Sequence, residues 1–272
     1  MMNKSFNGTF AVLMTPFSGN RVDYGAYERQ VHRLSGTGVA GYVVNGSTAE
    51  FVHLTREEKE NLVEIVCKNR EEGKKVIVSA CETTLPNTYN VVKHAWNVGA
   101  DALLVCPPYY FQYKNDEIKK YYTDLADISP VPIILYNIPF FTQPLDLGVI
   151  YDLMKHPNIV GIKDSSGNMK RIMHLIDMAK DTPFSVMTGT DDMLLPAFVG
   201  GCSGSMTALA SIFPNKISAI YYAIKAGKIE EARELQHSIM AALRRADSET
   251  FPRGYKRLME EVSNIKFGDR EV

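Results

Sequence analysis

The sequence has little cysteine, and none of it forms a paired motif. Four cysteines stand at widely separated positions, Cys67, Cys81, Cys106 and Cys202. The absence of a C-x-x-C pair in a chain of this length argues against a structural zinc site or a thioredoxin-like redox site. We therefore expect buried free thiols, as in proteins of the reducing cytoplasm.

The sequence also lacks an excess of charge of either sign and any long hydrophobic run. Lysine and arginine number 30 against 31 aspartate and glutamate residues, so no broad positive field is available to attract nucleic acid or an anionic membrane. No apolar run approaches the roughly 18 residues of a transmembrane helix. The N-terminal apolar run is short and ends before Pro16, unlike the core of a secretion signal. We expect a cytoplasmic protein whose partners are small molecules.

Eight short apolar runs recur along the sequence. They lie at residues 9–14, 41–45, 75–80, 101–106, 132–137, 158–163, 184–189 and 202–207. Their nearly continuous apolar character is typical of parallel strands that are buried on both faces. The run at 202–207 gives the weakest strand signal of the eight.

The segments between these runs carry helix signals. Thr55 and Glu58 form a capping-box pattern ahead of a helical segment that we expect to end at Gly73. Asp23 is the expected N-cap of an earlier helix, and the residues after about 228 alternate charged and apolar positions at helical spacing. This alternation predicts an α/β fold, a (β/α)8 TIM barrel with additional C-terminal helices.

An open, doubly wound parallel sheet would show the same alternation. However, the first strand is followed by TPFSGN at residues 15–20, without a G-x-G-x-x-G or Walker-type loop. No linker, low-complexity tract or shift in composition marks a second domain. We therefore predict a single barrel domain over residues 1–272, with about 228–272 as appended C-terminal helices.

Lys163 is the most unusual polar residue at a predicted strand end. It follows apolar residues 159–162, where a desolvated ammonium group is costly. Desolvation lowers the pKa of a lysine, and the neutral amine attacks carbonyl groups. A lysine at a strand end can instead extend its ammonium group to solvent. The local pattern alone leaves both interpretations open.

Three other strand ends carry polar residues. Tyr136 offers either a phenol for proton transfer or a packed aromatic ring. Ser47 and Thr48 suit either a bound carboxylate or a local role in a turn or helix N-cap. Tyr110 follows two prolines, and aromatic packing or a subunit contact would also explain it. Because the active sites of TIM barrels lie at the carboxyl ends of the strands, all four are site candidates.

The motifs at these strand ends together resemble one known family. They are GSTAE at 46–50, PPYY at 107–110, YNIP at 136–139 and GIKDSSG at 161–167. The likeness also includes TPF at 15–17, GTDD at 189–192 and GSMT at 204–207. In this order they resemble the dihydrodipicolinate synthase and N-acetylneuraminate lyase family of pyruvate-dependent class I aldolases. The resemblance favours a nucleophilic Lys163.

The resemblance implies a role for each matching residue. Lys163 would form a Schiff base with the 2-oxo carbon of pyruvate, and Tyr136 would shuttle protons during that step. Ser47 would hydrogen-bond Tyr136 and, with Thr48, bind the carboxylate of the 2-oxo acid. Tyr110 would be contributed across a dimer interface. The predicted catalytic residues are therefore Lys163, Tyr136, Ser47 and Tyr110, in a homodimer or homotetramer.

Further positions bear on the substrate. Family members that use aspartate semialdehyde resemble YN-x-P-x-R-T, whose arginine holds the distal carboxylate, and this chain has Phe141 there. Losing such a charged anchor costs roughly 1.5 to 3 kcal/mol, or about tenfold or more in affinity. Asp191 either contacts substrate or caps the following helix. The other substrate-binding residues that the resemblance implies are Ser165, Gly189, Asp192 and, through its backbone carbonyl, Met206.

These positions favour a lyase that cleaves a 2-oxo-3-deoxy sugar acid or an N-acetylneuraminate-like substrate to pyruvate and an aldehyde. The enzymatic alternative is 4-hydroxy-tetrahydrodipicolinate synthesis from pyruvate and aspartate semialdehyde, and a dehydratase is also open. A non-catalytic barrel acting as an interaction protein is disfavoured by the complete catalytic set. The six histidines do not cluster at strand ends, which disfavours a metal-dependent aldolase. We expect neither a cofactor nor a metal.

Overall fold

The computed structural model describes residues 5–271. Within them, eight strands have the bounds β1 Gly8–Val12, β2 Gly41–Val44, β3 Lys75–Ser79, β4 Ala102–Val105, β5 Ile133–Asn137, β6 Ile159–Asp164, β7 Ser185–Thr188 and β8 Gly204–Thr207. A short antiparallel hairpin pairs Phe17–Ser18 with Arg21–Val22. All eight predicted strands are confirmed, including the weakest, although their ends shift by one or two residues.

The eight strands form a closed parallel barrel in the order β1-β8-β7-β6-β5-β4-β3-β2. Each strand therefore pairs with the strands that precede and follow it in the chain, as successive right-handed β–α–β connections produce. The predicted TIM barrel is confirmed.

Helices connect the strands and extend the chain after β8. Their bounds are α1 Tyr24–Arg33, α2 Arg56–Asn69, α3 Leu85–Asn97, α4 Asn115–Ile128, α5 Leu147–Leu153, α6 Met169–Ala179, α7 Leu194–Gly200, α8 Leu209–Ile212, α9 Pro214–Lys225, α10 Ile229–Asp247 and α11 Arg253–Ser263. The last two are the C-terminal helices that the sequence predicts after about residue 228. Among the described helices, none combines the length and the apolar character that a membrane span requires.

Backbone contacts group the described residues into two compact units. The first comprises residues 5–7 and 77–205, and the second comprises residues 8–76 and 206–271. Strands β3 and β8 each continue from one unit into the other. The prediction of one domain over residues 1–272 stays a prediction.

The first unit is built on strands β4 to β7. Every residue of these four strands is buried, which requires cover on both faces and explains their continuous apolar sequences. Helix α6 supplies cover with Ile172, Leu175 and Ala179, which recur at helical spacing on one face. A fully buried leucine or isoleucine side chain contributes about 1.5–3 kcal/mol.

Two helix starts in the second unit confirm the sequence signals. The Asp23 carboxylate accepts a hydrogen bond of 2.8 Å from the Ala26 N–H at the start of α1. Thr55 and Glu58 make both hydrogen bonds of the capping box at the start of α2. A side-chain cap of this kind contributes about 1 kcal/mol to helix stability.

The predicted end of α2 at Gly73 is wrong. The helix ends at Asn69, because Arg70 adopts an extended backbone with ψ of 140°. Glu71 then turns toward other parts of the unit, where its carboxylate accepts a 2.7 Å hydrogen bond from the Gly36 N–H. Gly73 has a φ of 83° in the turn before β3, a conformation that glycine adopts without strain. Tertiary contacts therefore override the local helical pattern.

Candidate active site

Tyr136 and Lys163 lie side by side at the carboxyl ends of neighbouring strands. Strands β5 and β6 pair with Tyr136 opposite Lys163, so the two side chains project from the same face of the sheet. Lys163 Nζ donates a hydrogen bond of 3.3 Å to Tyr136 Oη and lies 4.4 Å from the centre of the phenol ring. The structure thus brings together two of the four predicted catalytic residues.

The Lys163 amine is buried in a setting that favours its neutral form. Lys163 is 5% exposed, so the interpretation in which its ammonium group extends to solvent is wrong. Burial lowers its pKa to about 8, while electrostatic interactions with Cys81 and Asp191 partly oppose that effect. Within residues 5–271, Lys163 forms no ion pair with a carboxylate. A lysine with this pKa has a substantial neutral fraction near pH 8.

Gly189 and Ser165 border the Lys163 side chain. A Cβ atom added to Gly189 would lie 2.7 Å from Lys163 Cε and 1.9 Å from Ser165 Oγ, so glycine leaves the space that both side chains occupy. Ser165 Oγ is buried and has no hydrogen-bond partner among the described residues. An unsatisfied buried hydroxyl costs about 1–3 kcal/mol, and a polar group of a substrate would satisfy it.

A buried charge network holds the ends of β5 and β6. Asp164 is fully buried, and its Oδ2 accepts hydrogen bonds from Asn137 Nδ2 at 2.7 Å and from Arg171 Nε at 2.8 Å. Its Oδ1 accepts another from the Ser166 N–H at 2.9 Å. Arg171 also donates to the Leu145 carbonyl at 2.6 Å. Because the carboxylate is both paired and hydrogen-bonded, its burial is compensated.

Sequence reasoning missed this network. Asn137 and Asp164 directly follow Tyr136 and Lys163 and pair across the same two strands, so the network fixes the backbone from which the Tyr136 and Lys163 side chains project. The sequence signal for this network is that Tyr136 and Lys163 are each followed directly by a second polar residue, Asn137 and Asp164. Arg171 gave no signal, because its contact with Asp164 depends on how α6 packs.

Asp191 and Asp192 differ in their exposure. Asp191 is buried within a short 3-10 helix, Asp191–Met193, whose N-cap is Thr190. The N-cap of the following helix α7 is Met193, so the interpretation of Asp191 as its cap is wrong. Asp192 is exposed. Both acids are predicted to bind substrate, and the buried one, Asp191, interacts electrostatically with Lys163.

Three of the four thiols are buried, as the sequence predicts, whereas Cys67 is only half-buried. One of the buried thiols lies near the site. Cys81 Sγ accepts hydrogen bonds from the Cys106 N–H at 3.2 Å and from Ser79 Oγ at 3.3 Å. Burial acts to raise the pKa of the Cys81 thiol, but hydrogen bonds from Cys106 and Ser79 bring it below its ordinary value. Its electrostatic interaction with Lys163 was not foreseen from the sequence.

Tyr110 and Phe141 lie on exposed loops of the first unit. Tyr110 is 88% exposed with a φ of 82°, and its ring packs edge-on against Phe111 with centres 5.1 Å apart. Phe141 is also exposed, as is the adjacent Phe140. Tyr110 is therefore not part of the buried cluster around Lys163, and its role across a dimer interface stays a prediction.

Ser47 and Thr48 form a tight turn after β2 in the second unit. Ser47–Ala49 make a 3-10 helix that begins after Gly46 and ends at Glu50. Thr48 is buried and Ser47 is half-buried. The N-cap of this helix is Gly46 and no side-chain cap is formed, so the N-cap interpretation of Ser47 and Thr48 is wrong, whereas their interpretation as turn residues is confirmed. Their predicted carboxylate-binding role stays a prediction.

Met206 is fully buried in β8, and the predicted role of its carbonyl group stays a prediction.

In the part of the chain that the structure describes, no group of three or more His, Cys, Asp or Glu side chains is arranged to hold a metal ion. The chemistry that the geometry offers is that of an amine and a phenol.

Comparison with known proteins gives a consistent result over nearly the whole chain. A model of the dihydrodipicolinate synthetase family matches residues 5–266. Among curated proteins, the chain is similar to a 4-hydroxy-tetrahydrodipicolinate synthase of Methanospirillum hungatei. The two are 35% identical over 262 residues, which cover 94% of this chain and 89% of that protein.

Solved structures share the fold. A 4-hydroxy-tetrahydrodipicolinate synthase from Methylacidiphilum fumariolicum SolV matches with a TM-score of 0.91 and 26% identity, covering 98% of this chain and 88% of its own. A 2-keto 3-deoxygluconate aldolase from Picrophilus torridus matches with a TM-score of 0.91 and 24% identity, covering 97% and 96%. At that identity the second likeness shows the fold alone.

Proposed function

The chain belongs to the dihydrodipicolinate synthetase family, and we propose that Lys163 is the residue with which it forms a Schiff base to pyruvate. As a family member it is a lyase of the pyruvate-dependent aldolase class. The observation that carries the proposal is the buried Lys163 amine, which has no ion pair among the described residues and lies 3.3 Å from the Tyr136 phenol. The pair combines a nucleophile with an adjacent proton carrier.

The first chemical step forms a C–N bond. The neutral Nζ of Lys163 attacks C2 of pyruvate, and proton transfer from nitrogen to the former carbonyl oxygen gives a carbinolamine. Protonation of the hydroxyl group and its loss as water leave an iminium ion. Tyr136 Oη lies within hydrogen-bond reach of Nζ, so we assign it the transfer of these protons.

The iminium ion then acts as an electron sink for C–C bond formation or cleavage. Loss of a proton from C3 gives an enamine, whose C3 adds to the carbonyl carbon of an aldehyde while the aldehyde oxygen takes up a proton. The reverse sequence cleaves the same bond. Hydrolysis of the iminium returns the free amine, so the cycle balances without oxidation or reduction.

The lowered pKa of Lys163 determines how much reactive amine is present. With a pKa of about 8, roughly one tenth of the lysine is neutral at pH 7, against roughly 0.04% for an unperturbed lysine. Burial therefore increases the nucleophilic population by about 200-fold. We expect adduct formation to accelerate as the pH rises toward 8.

The carboxylate of the 2-oxo acid needs a binding group, and we assign it to Ser47 and Thr48. The two hydroxyl-bearing residues are adjacent in the turn after β2. Hydroxyl donors bind a carboxylate through charge-assisted hydrogen bonds without adding a positive charge.

Aspartate semialdehyde is the first candidate for the aldehyde. The Methanospirillum hungatei relative and the Methylacidiphilum fumariolicum structure are both named 4-hydroxy-tetrahydrodipicolinate synthase, which supports condensation of pyruvate with this aldehyde. The sugar-acid substrate that the sequence favours has weaker support from the comparisons, which do not confirm it.

Phe141 favours a second candidate, a 2-oxo-3-deoxy sugar acid. An aromatic ring at this position offers no charge to the distal carboxylate of aspartate semialdehyde. The buried Ser165 hydroxyl, which has no partner among the described residues, suits a substrate that bears hydroxyl groups. The two candidates share every step at Lys163 and differ in the aldehyde.

Exposed aromatic residues support the predicted homodimer or homotetramer. Tyr110 and Phe111 are 88% and 67% exposed, and aromatic side chains are enriched in protein interfaces. We propose that they contact a second copy of the chain. Sedimentation of Tyr110→Ser beside the unaltered protein tests this contact, and an unchanged oligomeric state contradicts it.

Borohydride trapping tests the role of Lys163. Reduction in the presence of pyruvate should leave a pyruvyl group on Lys163, located by peptide mass mapping, and Lys163→Ala should lose it. Lys155→Ala is the control, because Lys155 is an exposed lysine in an ion pair with Asp152, and it should retain the adduct. A wild-type protein without an adduct, or equal labelling of Lys163→Ala, contradicts the proposal.

Product assays separate the two aldehyde candidates. Condensation of pyruvate with aspartate semialdehyde is measured beside pyruvate release from a panel of 2-oxo-3-deoxy sugar acids. In Phe141→Arg, kcat/KM for aspartate semialdehyde should rise about tenfold or more, whereas the neighbouring Phe140→Arg serves as the matched control. Equal activity of the two variants toward both classes contradicts a role of residue 141 in specificity.

A further inference from the structure

The turn that carries Ser47 and Thr48 ends in a conformation that needs outside support. Glu50 has a φ of 56°, in the left-handed region that residues with a side chain rarely adopt. Its N–H donates to the Ser47 carbonyl at 3.0 Å, and its carbonyl accepts from the His53 N–H at 2.8 Å. We call residues 46–50 the carboxylate turn. Its shape therefore depends on the side chains that bind the Glu50 carboxylate.

Lys256 in α11 holds the Glu50 side chain. Lys256 is 3% exposed and forms an ion pair with the Glu50 carboxylate. It also donates to the Gly268 carbonyl at 3.1 Å, lies 3.6 Å from an Asp269 carboxylate oxygen and stands 4.6 Å from the centre of the Phe17 ring. A buried ammonium group is tolerated when it is paired and its other protons have acceptors.

Arg270 holds the segment that follows the turn. Its guanidinium group pairs with the Glu58 carboxylate and donates to the carbonyl groups of His53 and Asn20. It lies 4.7 Å from the centre of the Phe17 ring. Hydrogen bonds from Arg270 are the main cause of a lowered pKa at Glu58. Two cations from the C-terminal part of the chain thus converge on residues 50–58.

The contact made by Arg270 lies outside the region that the family model covers. That match ends at residue 266, whereas Gly268, Asp269 and Arg270 follow it. The segment 267–271 is tied back at several points, including a hydrogen bond of 2.6 Å from the Phe267 N–H to Glu260 and one of 3.1 Å from the Glu271 N–H to Asn20. These hydrogen bonds therefore attach the segment to other residues of the second unit.

We propose that Lys256 and Arg270 are positioning residues that hold the carboxylate turn in the shape that binds the carboxylate of pyruvate. The inference rests on the proposed function, because it assigns that carboxylate to Ser47 and Thr48. Lys256 acts through Glu50, and Arg270 acts through Glu58 and the His53 carbonyl. Loss of either cation should weaken pyruvate binding more than it slows the chemistry at Lys163.

Borohydride trapping at a series of pyruvate concentrations separates these two effects. In Lys256→Met the pyruvate concentration at half-maximal trapping should rise about tenfold, and in Arg270→Met about threefold. The maximal trapping rate should stay within about twofold in both. A purely structural loss would instead reduce the amount of active protein and leave the half-saturating concentration unchanged. Arg270→Met keeps the test available if Lys256→Met does not fold.

Arg257→Met is the matched control. Arg257 neighbours Lys256 on the same helix, but its side chain is 67% exposed and pairs with Glu249 at 2.9 Å. It should leave both the half-saturating concentration and the maximal rate unchanged. An unaltered half-saturating concentration in folded Lys256→Met and Arg270→Met overturns the inference, even though the adduct at Lys163 forms.

Hydrogen exchange measures the turn without reference to pyruvate. Amides of residues 46–54 should exchange faster in Lys256→Met and Arg270→Met than in Arg257→Met. Equal exchange in the three variants overturns the inference on its own. Absence of a wild-type pyruvyl adduct contradicts the proposed function instead, so the two failures are distinct.

Discussion

Lys163 in the first unit and Lys256 in the second are both buried, but their surroundings are opposite. They are 5% and 3% exposed, so both ammonium groups lose most of their hydration. Lys163 hydrogen-bonds the phenol of Tyr136, whereas Lys256 is paired with the Glu50 carboxylate and hydrogen-bonded to a carbonyl group. Burial alone therefore does not separate the lysine that we propose as a nucleophile from the lysine that we propose as a structural cation.

The partners of each lysine decide its role. A phenol offers little compensation for a desolvated charge, so Lys163 has a lowered pKa and a reactive neutral form. A carboxylate stabilises the charged form, and the positive charge of Lys256 can then fix the backbone around Glu50. The comparison predicts that removing the two amines has opposite effects on stability, and the following variants test it.

Lys256→Met should lower the free energy of unfolding by about 3–5 kcal/mol, because it removes the ammonium group paired with the buried Glu50 carboxylate and leaves that carboxylate beside the His53 ring nitrogen at 3.4 Å. Urea denaturation followed by circular dichroism measures the change at pH 7. Arg257→Met removes an exposed ion pair on the same helix and should cost at most about 1 kcal/mol. Equal losses in the two variants would show that the buried Lys256–Glu50 ion pair stabilises the fold no more than the exposed Arg257–Glu249 pair does.

Gly189→Ala tests whether the position of the Lys163 amine matters for activity. The added methyl group would meet Lys163 Cε at 2.7 Å and Ser165 Oγ at 1.9 Å, so the amine must leave its position beside Tyr136. A displacement of about 1 Å commonly costs on the order of 100-fold in rate, and we expect that loss in kcat/KM. Pyruvate consumption in a coupled assay measures it.

Gly25→Ala controls for the glycine-to-alanine change itself. A Cβ atom at Gly25 would meet its nearest neighbours at 3.5 Å, an ordinary contact, and the position lies within α1. Its activity should match the unaltered protein. Full activity of Gly189→Ala would mean that the lysine conformation seen here is not the reactive one.

The fold and the centre of the site were predictable because both depend on local patterns. Eight apolar runs of strand length specify eight buried strands, and a parallel barrel places their carboxyl ends on one face. Tyr136 and Lys163 end adjacent strands in the same register, so their contact follows from the sequence once the strand order is known. The family motifs then indicated which of these polar ends carry the chemistry.

The supporting contacts were not predictable, because they join residues far apart in sequence. Arg270 and Glu58 are separated by 212 residues, and no local pattern links them. The contact of Arg171 with Asp164 depends on the packing of α6 against the strand end. The early end of α2 and the exposure of Tyr110 likewise follow from tertiary structure, which outweighs local propensity.

Lys163→Met should have the opposite sign to Lys256→Met, a gain in stability on the order of 3 kcal/mol at pH 7. The folded-state pKa of about 8 lies below the value of roughly 10.4 for an unfolded chain. Below pH 8 both states are protonated and folding bears the full cost of the buried charge. Between about pH 8 and 10.4 the unfolded state binds more protons, so the stability of the unaltered protein rises and the advantage of the variant shrinks. Urea denaturation of both proteins at pH 7, 8.5 and 9.5 measures this trend, and an advantage that is absent at pH 7 or independent of pH would show that the Lys163 amine is as well compensated as that of Lys256.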